Sequence, residues 1–248
     1  MIKFFRRVRQ KLISENKFSK YLIYAVGEII LVVIGILIAL SINNWNEVRK
    51  TASQEIKILN ELKNDLETNL NEIIETYNTT SGRQESTVII LGYFENRKSF
   101  DDSLKMAFEN IKMDGLFNIA NTTYKFIESQ GINSLSNDSL RIRVTEMYER
   151  HLKNILTREN RNWKIVDEEL IPYMTEHFIS SPSVDKSVSF ALEAINTPKN
   201  INSLWEDSTL KNLIVRLQGW FLVRLKWQEE ARISLEPVSY THLRAHET

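Results

Sequence analysis

A run of 22 residues near the N-terminus, residues 21–42, contains a single charged side chain, that of Glu28. As an α-helix rising ~1.5 Å per residue, this run would be about 33 Å long, close to the ~30 Å hydrocarbon core of a bilayer. A cleaved signal peptide is the alternative, because residues 39–41 resemble a cleavage site, but its apolar region would be shorter, roughly 7–15 residues. The run therefore predicts one uncleaved transmembrane helix over residues 21–42.

The segment before this run, residues 1–20, is strongly basic. It holds seven basic residues and one acidic residue, a net charge of +6, whereas the formal charge of the whole chain is zero. Lys and Arg are enriched on the cytoplasmic side of a span, and Tyr and Trp at both membrane interfaces. Here Tyr21 and Tyr24 lie at one end of the run and Trp45 follows the other. These patterns predict a cytoplasmic N-terminus and a body outside the cytoplasm.

Glu28 must lie at least partly inside the bilayer. A span that began after it would comprise residues 29–42 and would be about 21 Å long, too short without marked thinning of the membrane. A carboxylate at that depth costs a few kcal/mol unless it is protonated, paired or drawn to the interface. Tyr24 lies one helical turn earlier on the same face, so its hydroxyl could reach the carboxylate.

A stripe of mostly small residues runs beside Glu28, because Gly27, Leu31, Gly35 and Ala39 recur every four residues. Small residues at this spacing allow two membrane helices to approach closely. One interpretation is a membrane helix interface formed by Tyr24, Gly27, Glu28, Gly35 and Ala39. The other is that Glu28 snorkels to the cytoplasmic headgroups and that the glycines are ordinary for a membrane helix. The sequence leaves both interpretations open.

Three stretches at the N-terminus carry a family resemblance. They are MIKFFR at residues 1–6, NKFSKYLIYAVGEI at residues 16–29 and INNWNE at residues 42–47. Together they resemble the opening of an uncharacterised bacterial family of single-span membrane proteins, a domain-of-unknown-function family. The resemblance implies a bacterial inner-membrane location, a periplasmic body and a Glu28 that belongs to the shared pattern. It implies no catalytic residue, because the family has no assigned activity.

The composition of the body favours helices. The 248-residue chain has no cysteine, seven glycines and four prolines, which excludes disulfides and thiolate chemistry and leaves few turn residues for a many-stranded β domain. We predict an all-α fold with one N-terminal transmembrane helix and then a helical bundle whose first helix is long and coiled-coil-like. The predicted segments are a basic cytoplasmic segment (residues 1–20), the transmembrane helix (21–42), a stalk helix (43–80) and a helical extracytoplasmic domain (81–237).

A heptad pattern predicts the stalk helix. Its expected core positions alternate in steps of three and four: Ile56, Leu59, Lys63, Leu66, Leu70, Ile73 and Tyr77. This spacing is typical of a coiled coil, which would permit self-association through the transmembrane and stalk helices. However, the charged Lys63 occupies a core position, and the first helix of a bundle would show the same pattern. Both interpretations remain open.

Punctuating residues predict further helices along the body. Gly131 is suited to a left-handed C-cap, and Asn137 is suited to the N-cap of a helix that we expect to end at Pro172. Serine and proline at residues 180–183, and asparagine, threonine and proline at residues 196–198, indicate two loops around a short helix over residues 187–195. A long helix is predicted over residues 208–233.

Motifs for known chemistry are sparse. The sequence contains none of the usual zinc-protease, acyl-transfer, P-loop or dinucleotide-binding motifs. Glu176 and His177 could form a metal site with Glu168 and Glu169, but mixed charges on a solvated helix face explain the same residues. Four tryptophans are expected to fill the core and its grooves: Trp163, Trp205, Trp220 and Trp227. We expect no cofactor, no metal and no contact with nucleic acid.

The last eleven residues differ from the rest of the chain. Residues 238–248, VSYTHLRAHET, contain two histidines and no helical periodicity, and they resemble the in-frame translation of a transposon-type sequencing adapter. We treat this tail as an adapter-derived artefact and exclude His242 and His246 as ligands. We expect it to make only incidental contacts.

These patterns predict a non-enzymatic, membrane-anchored protein with a binding or scaffolding role in the cell envelope. Its expected partners are the lipid bilayer and a membrane or envelope protein, or a second copy of the chain. The alternative is a signal or energy transducer in which Glu28 takes up a proton or pairs with a neighbouring membrane protein. A third class is an enzyme with an unrecognised site, which a deep pocket with converging Glu, His and Arg would favour, whereas a broad apolar groove would favour binding.

Overall fold

The computed structural model of the chain describes residues 18–113, 117–182 and 194–241. It divides into two compact units, Met1–Ile56 and Lys57–Thr248. The regular secondary structure of the described residues is helical, in agreement with the predicted all-α class, apart from one two-stranded sheet. The helices are α1 (Phe18–Asn96), α2 (Asp102–Lys112), α3 (Thr122–Gln130), α4 (Asp138–Glu146), α5 (Lys153–Ile165), α6 (Ile171–His177), α7 (Ile201–Glu206) and α8 (Ser208–Thr241), with a 3₁₀ turn at Ile132–Ser134.

In the first unit, α1 exposes its apolar side chains. The large aliphatic side chains between Leu22 and Ile42 are 46 to 73% exposed. Among the described residues, one helix is long and apolar enough to cross a membrane, and no part of its apolar window is buried within the protein. The segment predicted to span the membrane is thus an uncovered apolar helix.

In the second unit, α1 packs on other helices through a continuous heptad face. The spacing alternates between three and four residues over this part of the helix. The buried side chains of the face are Leu59, Leu62, Leu66, Asn69, Ile73, Thr76, Thr80, Arg83, Thr87, Ile90 and Phe94. These side chains pack against α2 to α5 and α8 of the same chain. The heptad face of α1 is therefore buried as in the first helix of a helical bundle.

The predicted heptad face is correct for Leu59, Leu66 and Ile73 but wrong at every second position. Lys63, Leu70 and Tyr77 are half-buried rather than core residues, and Ile56 is exposed. The core instead takes the side chain one residue earlier in each heptad, which is Leu62, Asn69 or Thr76. At Asn69 and Thr76 the fold places polar residues in the core, where the prediction expected the apolar neighbours Leu70 and Tyr77. At Leu62 the prediction instead kept its heptad spacing and chose the charged Lys63.

Helix α1 continues through residue 80, the predicted end of the stalk, to Asn96. The Thr, Ser and Gly residues in this stretch are weak helix formers. Thr79 and Thr80 donate their hydroxyl protons to the carbonyl oxygen of Thr76 at 3.0 and 2.7 Å, and Ser86 donates to the carbonyl of Gly82 at 2.9 Å. These hydroxyls are satisfied within the helix itself, so they do not interrupt it.

Residues 138–177 form a nearly continuous helix with two wide π turns, Met147–Leu152 and Val166–Leu170. Asn137 caps it as predicted, because its side-chain oxygen accepts a hydrogen bond from the Leu140 N–H at 3.0 Å. The helix does not end at Pro172, which instead lies in the first turn of α6 directly after the second π turn. Since proline has no N–H to donate to the preceding turn, the widened turn lets the helix continue.

A small hairpin replaces the two predicted loops. Strands β1 (Phe178–Pro182) and β2 (Ala194–Pro198) pair antiparallel, with Ser180 opposite Asn196. The two prolines lie at strand ends, where a missing N–H is tolerated, and Phe178 anchors the hairpin in the core. The helix predicted over residues 187–195 is wrong at residues 194 and 195, which are in β2, and its remaining residues lie outside those that the structure describes.

Two predicted helix ends also differ from the structure in detail. Gly131 follows α3 with φ 90°, a positive φ that favours glycine, but its ψ of 132° is extended and not that of the predicted left-handed cap. Its N–H donates to the carbonyl of Glu128 at 3.2 Å. Helix α8 begins at Ser208 as predicted but continues to Thr241, past residue 233 and into the first four residues of the tail. Residues 242–248 lie outside the described part of the chain.

The core of the second unit consists of two hydrophobic clusters. The first combines the 59–73 part of α1 with α3, α4, the first π turn and the end of α8. The second combines the end of α1 with α2, the second π turn, α6, α7 and the start of α8. Helices α5 and α8 pack against each other between the two clusters, and there the buried side chains are polar.

Candidate functional site

The predicted membrane interface lies on the exposed part of α1. Gly27 and Gly35 have no atom within 4 Å of the position a Cβ would take, and Ala39 is exposed. Glu28 lines a shallow depression of about 340 Å³ with its helix neighbours Ala25, Ile29, Val32 and Val33. The side chain of Tyr24 lies outside those that the structure describes. The interface therefore stays a prediction.

A layer of buried polar side chains separates the two hydrophobic clusters; we call it the polar layer. It is formed by three helices, α1, α5 and α8, at consecutive core positions. Its members are Thr76, Thr80, Arg83, Thr87, Glu159, Asn162, Arg224 and Gln228, each at most 5% exposed. Burial of this many polar groups is costly unless they bind one another, so their partners decide what the layer does.

An ion pair between Glu159 and Arg224 is the centre of the polar layer. A guanidinium nitrogen of Arg224 donates to Glu159 Oε1 at 2.6 Å, and both side chains are almost completely buried. The second carboxylate oxygen, Oε2, accepts a hydrogen bond from the backbone N–H of Phe117 at 3.0 Å. Glu159 therefore joins α8 to the segment before α3, and the loss of either charge would leave the other buried.

Two amide side chains extend the polar layer. Gln228 donates from Nε2 to the Thr80 hydroxyl at a long 3.5 Å. Among the described residues, neither amide atom of Asn162 has a hydrogen-bond partner, although this side chain is only 2% exposed. Buried polar atoms without a partner destabilise a fold. The amide groups of Asn162 therefore lower the stability that the polar layer contributes.

The segment from Phe117 to Thr123, here called the strap, is fastened by side chains of α1. Asn69 makes two bonds to Ala120, accepting from its N–H and donating to its carbonyl, both at 2.8 Å. Asp65 accepts from the Thr123 N–H at 2.9 Å. These side chains, with Glu159, bind backbone groups of the irregular residues 117–121 and an N–H of the first turn of α3, which has no partner within the helix. The strap is therefore fixed to the helices rather than being an open loop.

Two arginine–tryptophan pairs lie beside the ion pair on the α5–α8 seam. The guanidinium of Arg158 lies 4.0 Å from the ring centre of Trp227, and that of Arg161 lies 5.5 Å from Trp220. Both tryptophans are half-buried, as the prediction of groove filling requires, whereas Trp163 is 43% exposed and does not fill the core. The stacked guanidinium groups cover the edges of the seam.

A polar cavity of about 360 Å³ opens between the second π turn, α6 and the start of α8; we call it the polar cavity. It is lined by Glu169, Tyr173, Thr209, Asn212, Leu213 and Arg216. The Tyr173 hydroxyl donates to Asp207 Oδ2 at 2.6 Å, and Arg216 forms an ion pair with Glu169 across the cavity. Burial, then the Asp207 carboxylate, raise the pKa of Tyr173, so that its hydroxyl stays protonated at neutral pH.

Asp207 is fixed by three hydrogen bonds behind Tyr173. Its Oδ1 accepts from the backbone N–H groups of Thr209 and Leu210 at 2.8 and 3.1 Å, so it caps α8. Burial alone would raise the pKa of Asp207, but the bonds from Tyr173 and from these N–H groups lower it on balance. Asp207 is therefore an ionised acceptor of three hydrogen bonds.

The histidines do not form the candidate metal site. His177 stacks on Tyr173 with ring centres 4.3 Å apart, and its Nε2 lies 4.0 Å from Glu176. Within the described residues, no group of three or more His, Asp or Glu side chains could hold a metal ion. His151 lines a separate cavity of about 230 Å³ with Glu146 and Ser234, and burial lowers its pKa.

A family profile matches residues 28–171, more than half of the chain, and it describes DUF6090, a family of unknown function. The chain belongs to DUF6090. The predicted membership of an uncharacterised family is thereby confirmed. No curated protein and no solved structure matches this DUF6090 chain.

The DUF6090 match covers Glu28 and one member of the buried ion pair. It contains Glu28, the heptad face of α1 and Glu159, and it ends at Ile171. Arg224, the partner of Glu159, lies beyond the match on α8. Likewise, the polar cavity combines Glu169 from the matched region with Arg216 from outside it.

The polar layer and the polar cavity escaped the sequence analysis. One available signal was the run of polar residues Asn69, Thr76, Thr80, Arg83 and Thr87 at heptad spacing on α1. A second was a break in the apolar spacing of α8, where Arg224 and Gln228 follow Leu217 and Phe221 in steps of three and four. Each signal indicates that a polar residue lies on a core face, but neither shows which residue it pairs with.

Proposed function

We propose that this DUF6090 protein is anchored in the bacterial inner membrane by residues 21–42, with a cytoplasmic N-terminus and a periplasmic body that binds or scaffolds a partner. The observation that carries the proposal is the uncovered apolar surface of α1 between Leu22 and Ile42. Contiguous apolar surface of this extent marks a contact with lipid or with another protein. Seven basic residues before it favour lipid and set the orientation.

The cavities of the body support binding rather than catalysis. The cavity at His151 brings Glu146 and Arg143 near the imidazole, but its volume of about 230 Å³ is below the ~300 Å³ at which ligand pockets begin. The Ser234 hydroxyl lies 3.4 Å from His151 Nε2 and donates its proton to the carbonyl of Glu230 at the shorter distance of 2.9 Å. This geometry does not favour transfer of the serine proton to the imidazole, which activation as a nucleophile would require. The proposed role is therefore that of a non-enzymatic partner-binding protein.

Topology reporters test the anchor directly. Alkaline phosphatase, which is active only outside the cytoplasm, should be active when fused after residue 237. The matched control is the same reporter fused after residue 20, before the span, where it should be inactive. Phosphatase activity of the control, or inactivity of the long fusion while a cytoplasmic reporter at residue 237 is active, would overturn the orientation.

Crosslinking in intact cells tests the partner. A photoreactive residue placed on the exposed surface of the body, for example at Leu222, should yield a discrete adduct that is absent when the protein lacks residues 1–56. Adducts that are unchanged by removal of the anchor would contradict a membrane-based scaffold.

The transducer alternative rests on Glu28, which lines the depression on the apolar helix. Glu28→Gln keeps the size and the hydrogen-bonding ability but removes the charge. A proton-linked role should be lost in this variant, whereas a packing role should survive it. Glu28→Leu should improve insertion but loosen any helix pair that Glu28 holds.

A further inference from the structure

The polar cavity has the size of a small-ligand site and carries opposite charges at its mouth. Its volume of about 360 Å³ falls in the range of known ligand pockets. Glu169 and Arg216 face each other across it, and each side chain is 46% exposed. Leu213, which is almost completely buried, forms an apolar part of the lining, and Asn212 and Thr209 add uncharged polar groups.

The charged pair can separate at little cost. An ion pair this exposed contributes little to stability, because water screens the charges and both side chains lose rotamer freedom when they pair. The same two groups become strong partners for a ligand, since guanidinium binds a carboxylate through two parallel hydrogen bonds. A ligand with both charges can therefore exchange for the Glu169–Arg216 contact without leaving either charge unpaired.

The wall behind the pair is rigid and supplies a further acceptor. The Tyr173 hydroxyl donates its proton to Asp207, and the Tyr173 ring stacks on His177. These two contacts fix the position of the ring. Because the proton points to Asp207, the oxygen of Tyr173 retains a lone pair, and donation to a carboxylate strengthens it as an acceptor. A positively charged group between Glu169 and Tyr173 would find two acceptors.

We propose that the polar cavity binds a free α-amino acid as its zwitterion. The carboxylate of the ligand pairs with Arg216 and the ammonium with Glu169 and the Tyr173 oxygen, while its side chain lies over Leu213 and Asn212. An uncharged sugar would leave the Glu169–Arg216 pair unchanged, and a simple anion would meet the carboxylate of Glu169, so neither uses both sides of the cavity. This small-molecule site is separate from the proposed binding of a macromolecular partner, and it does not depend on the membrane anchor.

Calorimetric titration of the full chain in detergent micelles tests the proposal. The probes are L-leucine, L-glutamine, L-aspartate and L-lysine, one for each class of side chain. We expect at least one to bind with a Kd below about 1 mM. For that amino acid, the N-acetylated form, which lacks the ammonium, and the amide form, which lacks the carboxylate, should each bind at least about ten-fold more weakly.

Two variants and a matched control complete the test. Arg216→Gln and Glu169→Gln should each weaken binding at least about ten-fold, whereas Arg150→Gln, which removes an exposed ion pair of 2.7 Å on the same body, should not. The altered side chains are exposed, so helical content should be unchanged. Absence of saturable binding for all four amino acids, equal binding of the blocked forms, or unchanged binding by both variants would each overturn the proposal.

Discussion

Helix α1 exposes large aliphatic side chains over residues 22–42, whereas over residues 69–87 it buries asparagine, threonine and arginine. In water, both arrangements oppose the usual preference of side chains. The exposed part can be stable only in an apolar medium or against an apolar partner. The buried part can be stable only if its polar groups find hydrogen-bond partners. The threonines find them in carbonyl groups of α1 itself, and Asn69 finds them in the strap. The contrast shows that one helix is adapted to two different environments: an apolar contact outside the chain over residues 22–42, and a polar environment within the chain over residues 69–87.

The largest expected effect concerns the polar surroundings of the buried part. Glu159→Ala should destabilise the full chain by about 3–5 kcal/mol, because it leaves the guanidinium of Arg224 buried without its carboxylate and the Phe117 N–H without its acceptor. Chemical denaturation in detergent, followed by circular dichroism, measures the change.

The matched control for Glu159→Ala is Glu149→Ala, whose carboxylate pairs with Lys153 at 3.4 Å on the surface. This control should cost less than about 1 kcal/mol. Replacing Glu159 and Arg224 together by leucine should recover much of the loss, since no charge remains buried. If Glu159→Ala and Glu149→Ala lower the free energy of unfolding equally, the buried ion pair of the polar layer contributes no more to stability than a surface pair.

Ile34→Arg tests whether the exposed apolar part of α1, residues 22–42, contacts lipid. An arginine at the centre of a span costs about 2.5–3.5 kcal/mol on insertion scales, so the variant should appear in the alkaline carbonate supernatant to a greater extent than the parent protein. Val48→Arg is the control, because Val48 is also exposed, at 68%, but follows the predicted span. If both variants fractionate alike, the exposed surface of α1 is not a lipid contact.

A smaller effect is expected where α1 fastens the strap. Asn69→Ala removes both bonds to Ala120 and should cost about 1–3 kcal/mol. The Ala120 N–H then loses its acceptor, whereas the Ala120 carbonyl keeps the Tyr148 hydroxyl as a donor at 3.1 Å. Thr68→Ala, whose hydroxyl binds only the carbonyl of Asn64 in its own helix, should change stability by less than about 0.5 kcal/mol. Hydrogen exchange of the Ala120 amide should accelerate in the first variant alone.

The smallest effect is expected at the other end of the chain. Deleting residues 238–248 should leave the helical content and the thermal midpoint unchanged, because the buried positions of α8 end at Leu235 in the described side chains. A clear loss of stability would mean that the tail belongs to the protein rather than to an adapter.

Local features of the fold could be predicted and long-range ones could not. The Asn137 cap and the heptad spacing of Leu59, Leu66 and Ile73 follow from residues close in sequence. The Glu159–Arg224 pair joins residues 65 apart, and no local pattern tells which charge a buried arginine will meet. The heptad prediction failed at Asn69 for the same reason, since only the strap makes an asparagine acceptable there.

The sequence indicates the candidate membrane interface, which stays a prediction, but it does not indicate the polar cavity. Hydropathy alone marks residues 21–42, and the spacing of Gly27, Gly35 and Ala39 is visible in the sequence. The polar cavity requires the second π turn to bring Glu169 beside the first turns of α8. A π turn has no sequence signature of its own apart from the following Pro172, so Arg216 could not be matched with Glu169 in advance.

The two π turns mark the places where residues 138–177 can change length. Each wide turn holds one residue more than a regular helical turn would need, and successive residues of a regular helix are rotated by about 100°. Deleting one residue within Met147–Leu152 would convert the wide turn into a regular one, so Ile155, Glu159 and Asn162 would still face the core. A deletion within the regular part of α5 would instead rotate every residue after it by about 100° and turn Asn162 and Ile165 away from the core. The π turns should therefore tolerate the loss of a residue better than the regular turns beside them.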